Sequence, residues 1–161
     1  MEIILHDIKD SEVWAIKVKN DGVLHYTLHY DREKSEGVLH TEENLVYFYS
    51  FNSLKEFCKK NQLSLGGDEV AHEFDFDFEI GDVVPCKLVV EHWNLLAVMA
   101  HTLDIELDSA GKEYERLYAK LFELSGDYSL SAELDASEKE RLEALFSGKN
   151  DILGKFIAYT E

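Results

Sequence analysis

The sequence predicts an α+β fold, in which an N-terminal antiparallel β-sheet of about four or five strands packs against a C-terminal set of three or four helices. Residues of the first half alternate between apolar and polar with a period of two, which is typical of strands. After Gly81 the apolar residues recur at helical spacing. Because the strands precede the helices and do not alternate with them, the pattern favours α+β over a doubly wound sheet.

The first half predicts a meander of strands with one face on a core. Alternation predicts strands at Glu12–Lys19 and Val23–Tyr30, and Asn20-Asp21-Gly22 between them is a hairpin signal. A polar turn at Asp31–Gly37 precedes a short strand at Val38-Leu39-His40. An aromatic-rich strand follows at Leu45–Phe51.

A short helix and one more strand complete this half. Ser53 and Glu56 fit a capping box, which predicts that the helix begins at Ser53. The strand Phe74–Ile80 places three phenylalanines and an isoleucine inward and three acids outward: Asp75, Asp77 and Glu79.

The second half predicts three helices and a tail. The central helix begins near Pro85, which suits a first helical position, and extends to about Leu103. A second helix is predicted at Lys112–Leu124. A third extends from a capping box at Ser137–Glu140 to Gly148, and a short element follows at Ile152–Tyr159.

Length and composition indicate one domain over residues 1–161. Globular domains mostly have about 100–200 residues. With 45% hydrophobic residues, one proline and nine glycines, the chain can bury a core and leaves little room for a linker. The N-terminus has no basic, apolar leader pattern, and the apolar stretch Leu88–Leu103 is interrupted by polar residues. We therefore expect a cytoplasmic protein.

The net charge of −17 is the outlying property, and it is concentrated in one part of the chain. Residues 61–111 carry 11 acids and a single base, Lys87. Such a field attracts basic partners and repels nucleic acid and anionic membranes. A protein that binds a phosphate backbone needs the opposite sign.

The acidic row Asp75, Asp77 and Glu79 allows three interpretations: a plain solvent face balanced by Lys17 and Lys19, a partner-binding face, or a metal site. A calcium loop needs glycine at its sixth position, whereas here the glycine falls at the seventh. Alternate residues on a strand face lie about 7 Å apart, too far for three carboxylates to share one ion unaided.

Catalytic motifs are missing from the sequence. There is no GxSxG elbow, no P-loop and no HExxH or paired-cysteine spacing. Cys58 fits the apolar stripe of a helix, although Lys59 and Lys60 could lower its pKa. We therefore predict no enzyme, no catalytic residue, no metal and no cofactor.

The second half resembles a known family. A Phe-Asp-Phe-Asp-Phe-Glu strand, a helix containing Trp93-Asn94-Leu95, and the helix stretch Tyr114–Phe122 (YERLYAKLF) carry the likeness, which covers about 74–156. These features are similar to small bacterial immunity proteins, which neutralise the toxin domains of contact-dependent growth inhibition and other polymorphic toxin systems. The resemblance implies an inhibitor of a toxin domain and assigns no binding residue by position.

Charge and resemblance together predict an immunity protein, acting as a monomer, that neutralises a cognate basic toxin domain. A nuclease is the expected target, and its active site or an adjacent exosite is covered by an acidic surface. Charge reversal at Asp75 and Asp77 is expected to weaken the complex and leave the fold intact. Two alternatives stay open: an acidic nucleic-acid mimic or adaptor for a DNA-binding protein, and a small hydrolase of undetected type. The predicted partner-binding residues are Asp75, Asp77, Glu79, Asp104, Glu106, Asp108, Asp127 and Tyr128.

Overall fold

The computed structural model describes residues 1–32 and 35–161. The strands within these residues are β1 (Glu12–Asn20), β2 (Val23–Arg32), β3 (Ser35–Val38), β4 (Leu45–Tyr47), β5 (His72–Asp75), β6 (Val83–Pro85), β7 (Ser131–Glu133) and β8 (Phe156–Ala158). The helices are α1 (Phe51–Lys60), α2 (Cys86–Thr102), α3 (Lys112–Glu123), α4 (Ala136–Ser147) and α5 (Lys149–Leu153). The predicted α+β class is confirmed.

The main sheet has the strand order β3-β2-β1-β5. The pairs β1–β2 and β2–β3 are antiparallel, as predicted, but β5 runs parallel to β1. The chain reaches β5 only after α1, and a parallel neighbour needs such a crossover connection. The sheet is therefore mixed.

The predicted polar turn Asp31–Gly37 contains residues 33 and 34, which lie outside the described part of the chain. The residues of this segment before 33 belong to β2, and those after 34 belong to β3.

The hairpin between β1 and β2 confirms the Asn-Asp-Gly signal. Asp21 has φ 51° and Gly22 has φ 77°. Positive φ at both central residues is typical of the turn that matches the right-handed twist of two paired strands. This turn fixes the register of the whole hairpin, so that Asn20 lies opposite Val23 and Trp14 lies opposite His29.

Both faces of the sheet are buried, whereas the meander predicted a single core face. On one face Ala15 and Leu28 pack in a cluster with Leu54 of α1. On the other, Ile16 and Val18 pack in a cluster with α2. Each face of the sheet is thus covered by a helix, one from each half of the chain.

The central helix α2 (Cys86–Thr102) agrees with its predicted bounds to within one residue at each end. Pro85 is its N-cap residue and Leu103 its C-cap residue. Buried residues occur around much of its circumference, and Leu96 and Met99 are 0% exposed. The helix contacts the sheet on one side and α3 on another, as expected for a helix buried between layers. No helix in the described part of the chain is long and apolar enough to cross a membrane.

Two helices begin one or two residues earlier than the sequence predicts. Helix α1 begins at Phe51, because the Ser50 hydroxyl accepts the Ser53 N–H at 3.1 Å and caps the helix one turn earlier than predicted. Helix α4 begins at Ala136, and its capping box joins Asp135 to Glu138. In both cases a second capping residue stands two or three positions upstream of the predicted serine.

Other predicted boundaries also shift. The strand expected at Leu45–Phe51 ends at Tyr47, since the chain turns into α1, and it pairs in parallel with β8 outside the main sheet. The strand expected at Phe74–Ile80 ends at Asp75, although the alternation of burial continues to Ile80. Helix α3 matches its prediction to within one residue, and the tail forms α5 and β8.

Candidate functional site

A groove of about 550 Å³ lies between the sheet and α2, and we call it the sheet–helix groove. Four carboxylates from different parts of the chain line it, and no lysine or arginine of the described residues does. The carboxylates belong to Asp31 on β2, Glu36 on β3, Glu73 on β5 and Glu91 on α2. Three strands and one helix thus contribute acidic residues to the groove.

The floor of the groove is aromatic. Trp14 and His29 lie opposite each other on β1 and β2, and their rings stack with centroids 5.8 Å apart and planes 28° apart. Gly66 approaches the edge of the indole so closely that a Cβ there would lie 2.8 Å from Trp14 Cδ1 and Nε1. On the far side His29 Nε2 lies 2.7 Å from Glu36 Oε1. Contacts on both sides thus hold the stacked pair in place.

One wall of the groove is β5. Glu73 and Asp75 on this strand are paired loosely with Lys17 and Lys19, at 3.7 Å and 3.8 Å. The predicted balance of the acidic row by these two lysines is confirmed for Asp75. Because such exposed, long pairs contribute little to stability, both carboxylates are available to a partner.

His92 on α2 positions this wall. Its Nε2 accepts the Asp75 N–H at 3.1 Å, and its Nδ1 lies 2.7 Å from the Leu88 carbonyl, so Nδ1 carries the proton. Phe76 packs edge-on against the imidazole, and so do Phe74 and Phe78. Burial lowers the pKa of His92 and keeps the ring neutral.

The outer edge of β5 is closed to further strands near its end. The Phe76 N–H points inward to the Lys19 carbonyl, at 2.8 Å. The outward N–H of Asp75 is taken by His92, and that of Asp77 by the Asp75 carboxylate at 2.9 Å. Side chains thus satisfy the groups that would otherwise pair with another chain, which is a common protection of edge strands. At this end of β5 the outward N–H groups are therefore not free to pair with another strand.

The opposite wall consists of α2 and the loop that carries Tyr128. The Tyr128 hydroxyl donates to the Glu91 carboxylate, with 3.1 Å to each oxygen. Lys87 Nζ lies 4.2 Å from the centroid of the same ring, a cation–π contact. Partial burial and the hydrogen bond to Glu91 raise the pKa of Tyr128. Tyr128 is nevertheless 64% exposed, so it is an accessible aromatic residue beside the acidic groove.

The structure brings two of the predicted partner-binding residues to this region. Asp75 and Tyr128 both line a smaller groove of about 320 Å³ that adjoins the first and shares Glu73 and Glu91 with it. Asp127 is next to Tyr128 but caps its own turn, because its Oδ1 accepts the Ser129 N–H at 2.9 Å. That hydrogen bond lowers the pKa of Asp127.

Asp77 has a structural task. Its carboxylate accepts the N–H groups of Asp21 and Gly22, at 2.6 Å and 2.9 Å, and lies 3.9 Å from Lys149 Nζ. The hydrogen bond from Gly22, with the others, lowers the pKa of Asp77. The carboxylate thus holds the β1–β2 turn in place. The expectation that charge reversal at Asp75 and Asp77 together leaves the fold intact is inconsistent with these contacts at Asp77.

The remaining predicted residues lie elsewhere. Glu79 borders a shallow groove formed with α4 and α5 residues. Asp104, Glu106 and Asp108 are exposed in the loop after α2. The C-cap residue Leu103 is eleven positions after His92, which contacts Asp75. At a rise of about 1.5 Å per residue, this loop is roughly 16 Å along the helix from Asp75. The predicted set therefore does not form one face.

Sequence reasoning missed most of the groove: Trp14, His29, Asp31, Glu36, Glu73 and Glu91. The sequence does contain a signal for the pair Trp14 and His29. If the two strands of the hairpin are paired residue by residue, starting from Asn20 opposite Val23, Trp14 falls opposite His29. Nothing local connects these residues to Glu73 or Glu91, since the parallel pairing of β5 and the packing of α2 bring them together.

Cys58 is a core residue, as favoured by its helical spacing. It is buried beside Phe57 and Leu54, and burial raises its pKa to about 11, so the nearby lysines do not activate it. His25 is buried as well, with Nδ1 3.0 Å from the Val18 carbonyl. Among the described residues, no three His, Cys, Asp or Glu side chains are grouped as metal ligands.

No family model and no curated protein matches the chain. Among solved structures, the chain is similar to the C-terminal domain of SatS, crystallised in complex with bromine. The TM-score is 0.63 at 11% sequence identity, over 91% of this chain and 94% of that one. Identity this low shows a shared fold and nothing about partners.

Proposed function

We propose that this chain is an immunity-type inhibitor that binds a basic toxin domain through the sheet–helix groove. The observation that carries the proposal is the groove itself, which is lined by acidic residues of β2, β3, β5 and α2 together with Trp14 and His29. The excess of 11 acids over one base in residues 61–111 extends the negative field around it. The resemblance of the second half to immunity proteins supplies the class of partner.

The mechanism is steric occlusion guided by charge. A nuclease holds the phosphates of its substrate with arginine and lysine side chains, so its active site and nearby surface are basic. Complementary charge accelerates association and makes it depend on salt. The carboxylates of Glu73 and Glu91 would lie where the phosphates bind, with Tyr128 as an aromatic anchor beside them. The proposal places the protein in the cytoplasm, as a monomer that meets the toxin domain there.

A co-expression assay tests the proposal. The toxin domain encoded next to this chain's gene is expressed in a host with the wild-type chain, with Glu73→Lys, or with Glu56→Lys. Glu56 is an exposed acid on α1, which covers the other face of the sheet, so both variants change the net charge equally. We expect the wild type and Glu56→Lys to protect the host and Glu73→Lys to protect it poorly.

Binding in vitro gives the matching measurement. The purified toxin domain should bind the wild type more weakly as salt rises, and Glu73→Lys should bind least at low salt. Equal protection and equal affinity for the two variants would show that the groove is not the interface. A neighbouring domain that is not toxic, or that the chain does not bind, would reject the immunity function itself.

A further inference from the structure

We infer that a strip of aromatic rings beside α2 binds an apolar side chain of the basic partner domain. The strip consists of Tyr118, Phe122 and Tyr128, and we call it the aromatic strip. The inference rests on the proposed function and adds an uncharged component to the same interface. Charge complementarity mainly accelerates association, whereas a few desolvated aromatic residues dominate the affinity of many interfaces.

Hydrogen bonds to α2 join the three rings into one strip. Tyr118 and Phe122 are one turn apart on α3, and their rings stack with centroids 5.9 Å apart and planes 20° apart. The Tyr118 hydroxyl donates to Asn94 Oδ1 on α2, at 2.9 Å. The Tyr128 hydroxyl donates to Glu91 on the same helix. Because residues three apart are neighbours on a helix surface, the two tyrosines contact adjacent points of α2.

The strip is exposed and borders the sheet–helix groove. Phe122 is 58% exposed and Tyr128 is 64% exposed. Single exposed apolar residues are normal on a protein surface, whereas adjoining ones form a patch of the kind that marks interaction sites. Glu91, Asn94 and Tyr128 also line the groove, so one partner can cover the groove and the strip together.

The rings of the strip are already held in place. Trp93 is 6% exposed and packs edge-on against Tyr118, with centroids 5.2 Å apart and planes 82° apart. Lys87 Nζ lies 4.2 Å from the centroid of the Tyr128 ring. Immobilising a free side chain at an interface costs free energy. These contacts therefore reduce what the strip loses in conformational freedom when a partner binds.

Acidic residues around the strip favour a basic partner. Glu115 lies three and seven positions before the two α3 rings, on the same side of the helix. Glu123 and Asp127 are exposed and adjoin the strip in the chain. An apolar contact with an acidic rim is complementary to an apolar side chain that has lysine or arginine around it.

The bases nearest to the strip in sequence do not cancel this rim. Lys120 Nζ is held by the Glu138 carboxylate at 2.9 Å. Lys87 is engaged by the Tyr128 ring. Arg116 is two positions before the first ring of the strip, so it lies on another side of α3.

The test compares binding kinetics of Phe122→Ala and of a control, Tyr49→Ala. Tyr49 is 76% exposed and lies between β4 and α1, away from the strip. The probe is the toxin domain encoded next to this chain's gene, and surface plasmon resonance gives both rate constants at low and high salt. We expect Phe122→Ala to raise the dissociation rate about 30-fold, the loss typical of a hot-spot residue. Its association rate and salt dependence should stay near those of the wild type, because no charge is removed.

Two further variants separate a binding role from a folding defect. Tyr128→Ala, in a loop, should also raise the dissociation rate, whereas Tyr49→Ala should not. Tyr118→Phe keeps the stacked ring and loses only the hydroxyl, so its effect should be smaller than that of Phe122→Ala. An unchanged urea midpoint shows that each variant is folded.

The outcomes distinguish this inference from the proposed function. If the toxin domain binds the wild type, and Phe122→Ala and Tyr128→Ala dissociate no faster, the inference is overturned and the proposed function stands. Sedimentation of the free chain as a dimer that Phe122→Ala disrupts would assign the strip to a second copy and would also overturn it. A toxin domain that does not bind the wild type would reject the proposed function, and the inference with it.

Discussion

Acidification should destabilise this fold through His92. The imidazole is 4% exposed, and both of its nitrogens already have partners while it is neutral. A proton on Nε2 would remove the acceptor of the Asp75 N–H and place a charge among three phenylalanines. Burial therefore lowers the pKa of His92, against the weaker influence of the Glu91 and Asp75 charges.

The sign and the size of the effect follow from proton linkage. An unfolded chain protonates histidine near pH 6.5, whereas the folded state does so only at lower pH. Below about pH 6.5 the unfolded state binds more protons, so the free energy of unfolding falls as pH falls. The limiting slope for one histidine is about 1.4 kcal/mol per pH unit, and it vanishes below the folded-state pKa. Burial lowers the pKa of His25 and His40 in the same direction.

The assay is urea unfolding of the wild type and of His92→Gln at several pH values between 8 and about 5. Glutamine keeps a polar group that does not titrate. Contributions of the many carboxylates, and of His25 and His40, cancel in the difference between the two proteins. We expect the advantage of the wild type to shrink as pH falls below about 6.5. A difference that is constant or grows with acidification would refute the assignment of a buried, neutral His92.

Three further predictions concern stability and reactivity. Asp77→Asn should lower the urea midpoint, because it weakens the hydrogen bonds to the β1–β2 turn, whereas the more exposed Asp75→Asn should change it less; equal effects would contradict the structural task of Asp77. Gly66→Ala should alter tryptophan fluorescence by displacing Trp14, and Gly126→Ala, with open space around its Cβ, should not. Cys58, buried and with a pKa of about 11, should resist a thiol reagent until urea is added; rapid labelling of the native protein would contradict its burial.

The parts of the fold that the sequence predicts well are those with local causes. The Asn-Asp-Gly turn and the alternation beside it predict the β1–β2 hairpin and its register. Helix α3 follows from its apolar spacing. The parallel pairing of β5 with β1 has no local signal, because it depends on where the chain returns after α1. The starts of α1 and α4 were misplaced because Ser50 and Asp135 compete with Ser53 and Ser137 as caps.

Most residues of the sheet–helix groove are not among those that the sequence predicts as partner-binding. Acid content pointed to a basic partner and to the middle of the chain, and Asp75 and Tyr128 do border the groove. The alternation that drew attention to Asp77 could not show that its carboxylate is used by a turn over 50 residues away in the sequence. Glu73 and Glu91 line the same groove because β5 packs against α2, where His92 accepts the Asp75 N–H.

An NMR footprint of the bound toxin domain tests the central claim most directly. The ¹⁵N-labelled chain is mixed with the domain, and signals that shift or broaden are mapped onto the structure. We predict that they include the Trp14 indole, Glu73, Glu91 and Tyr128, and that the loop with Asp104, Glu106 and Asp108 is unaffected. A footprint confined to that loop, or to α1, would contradict the assignment of the sheet–helix groove as the binding site.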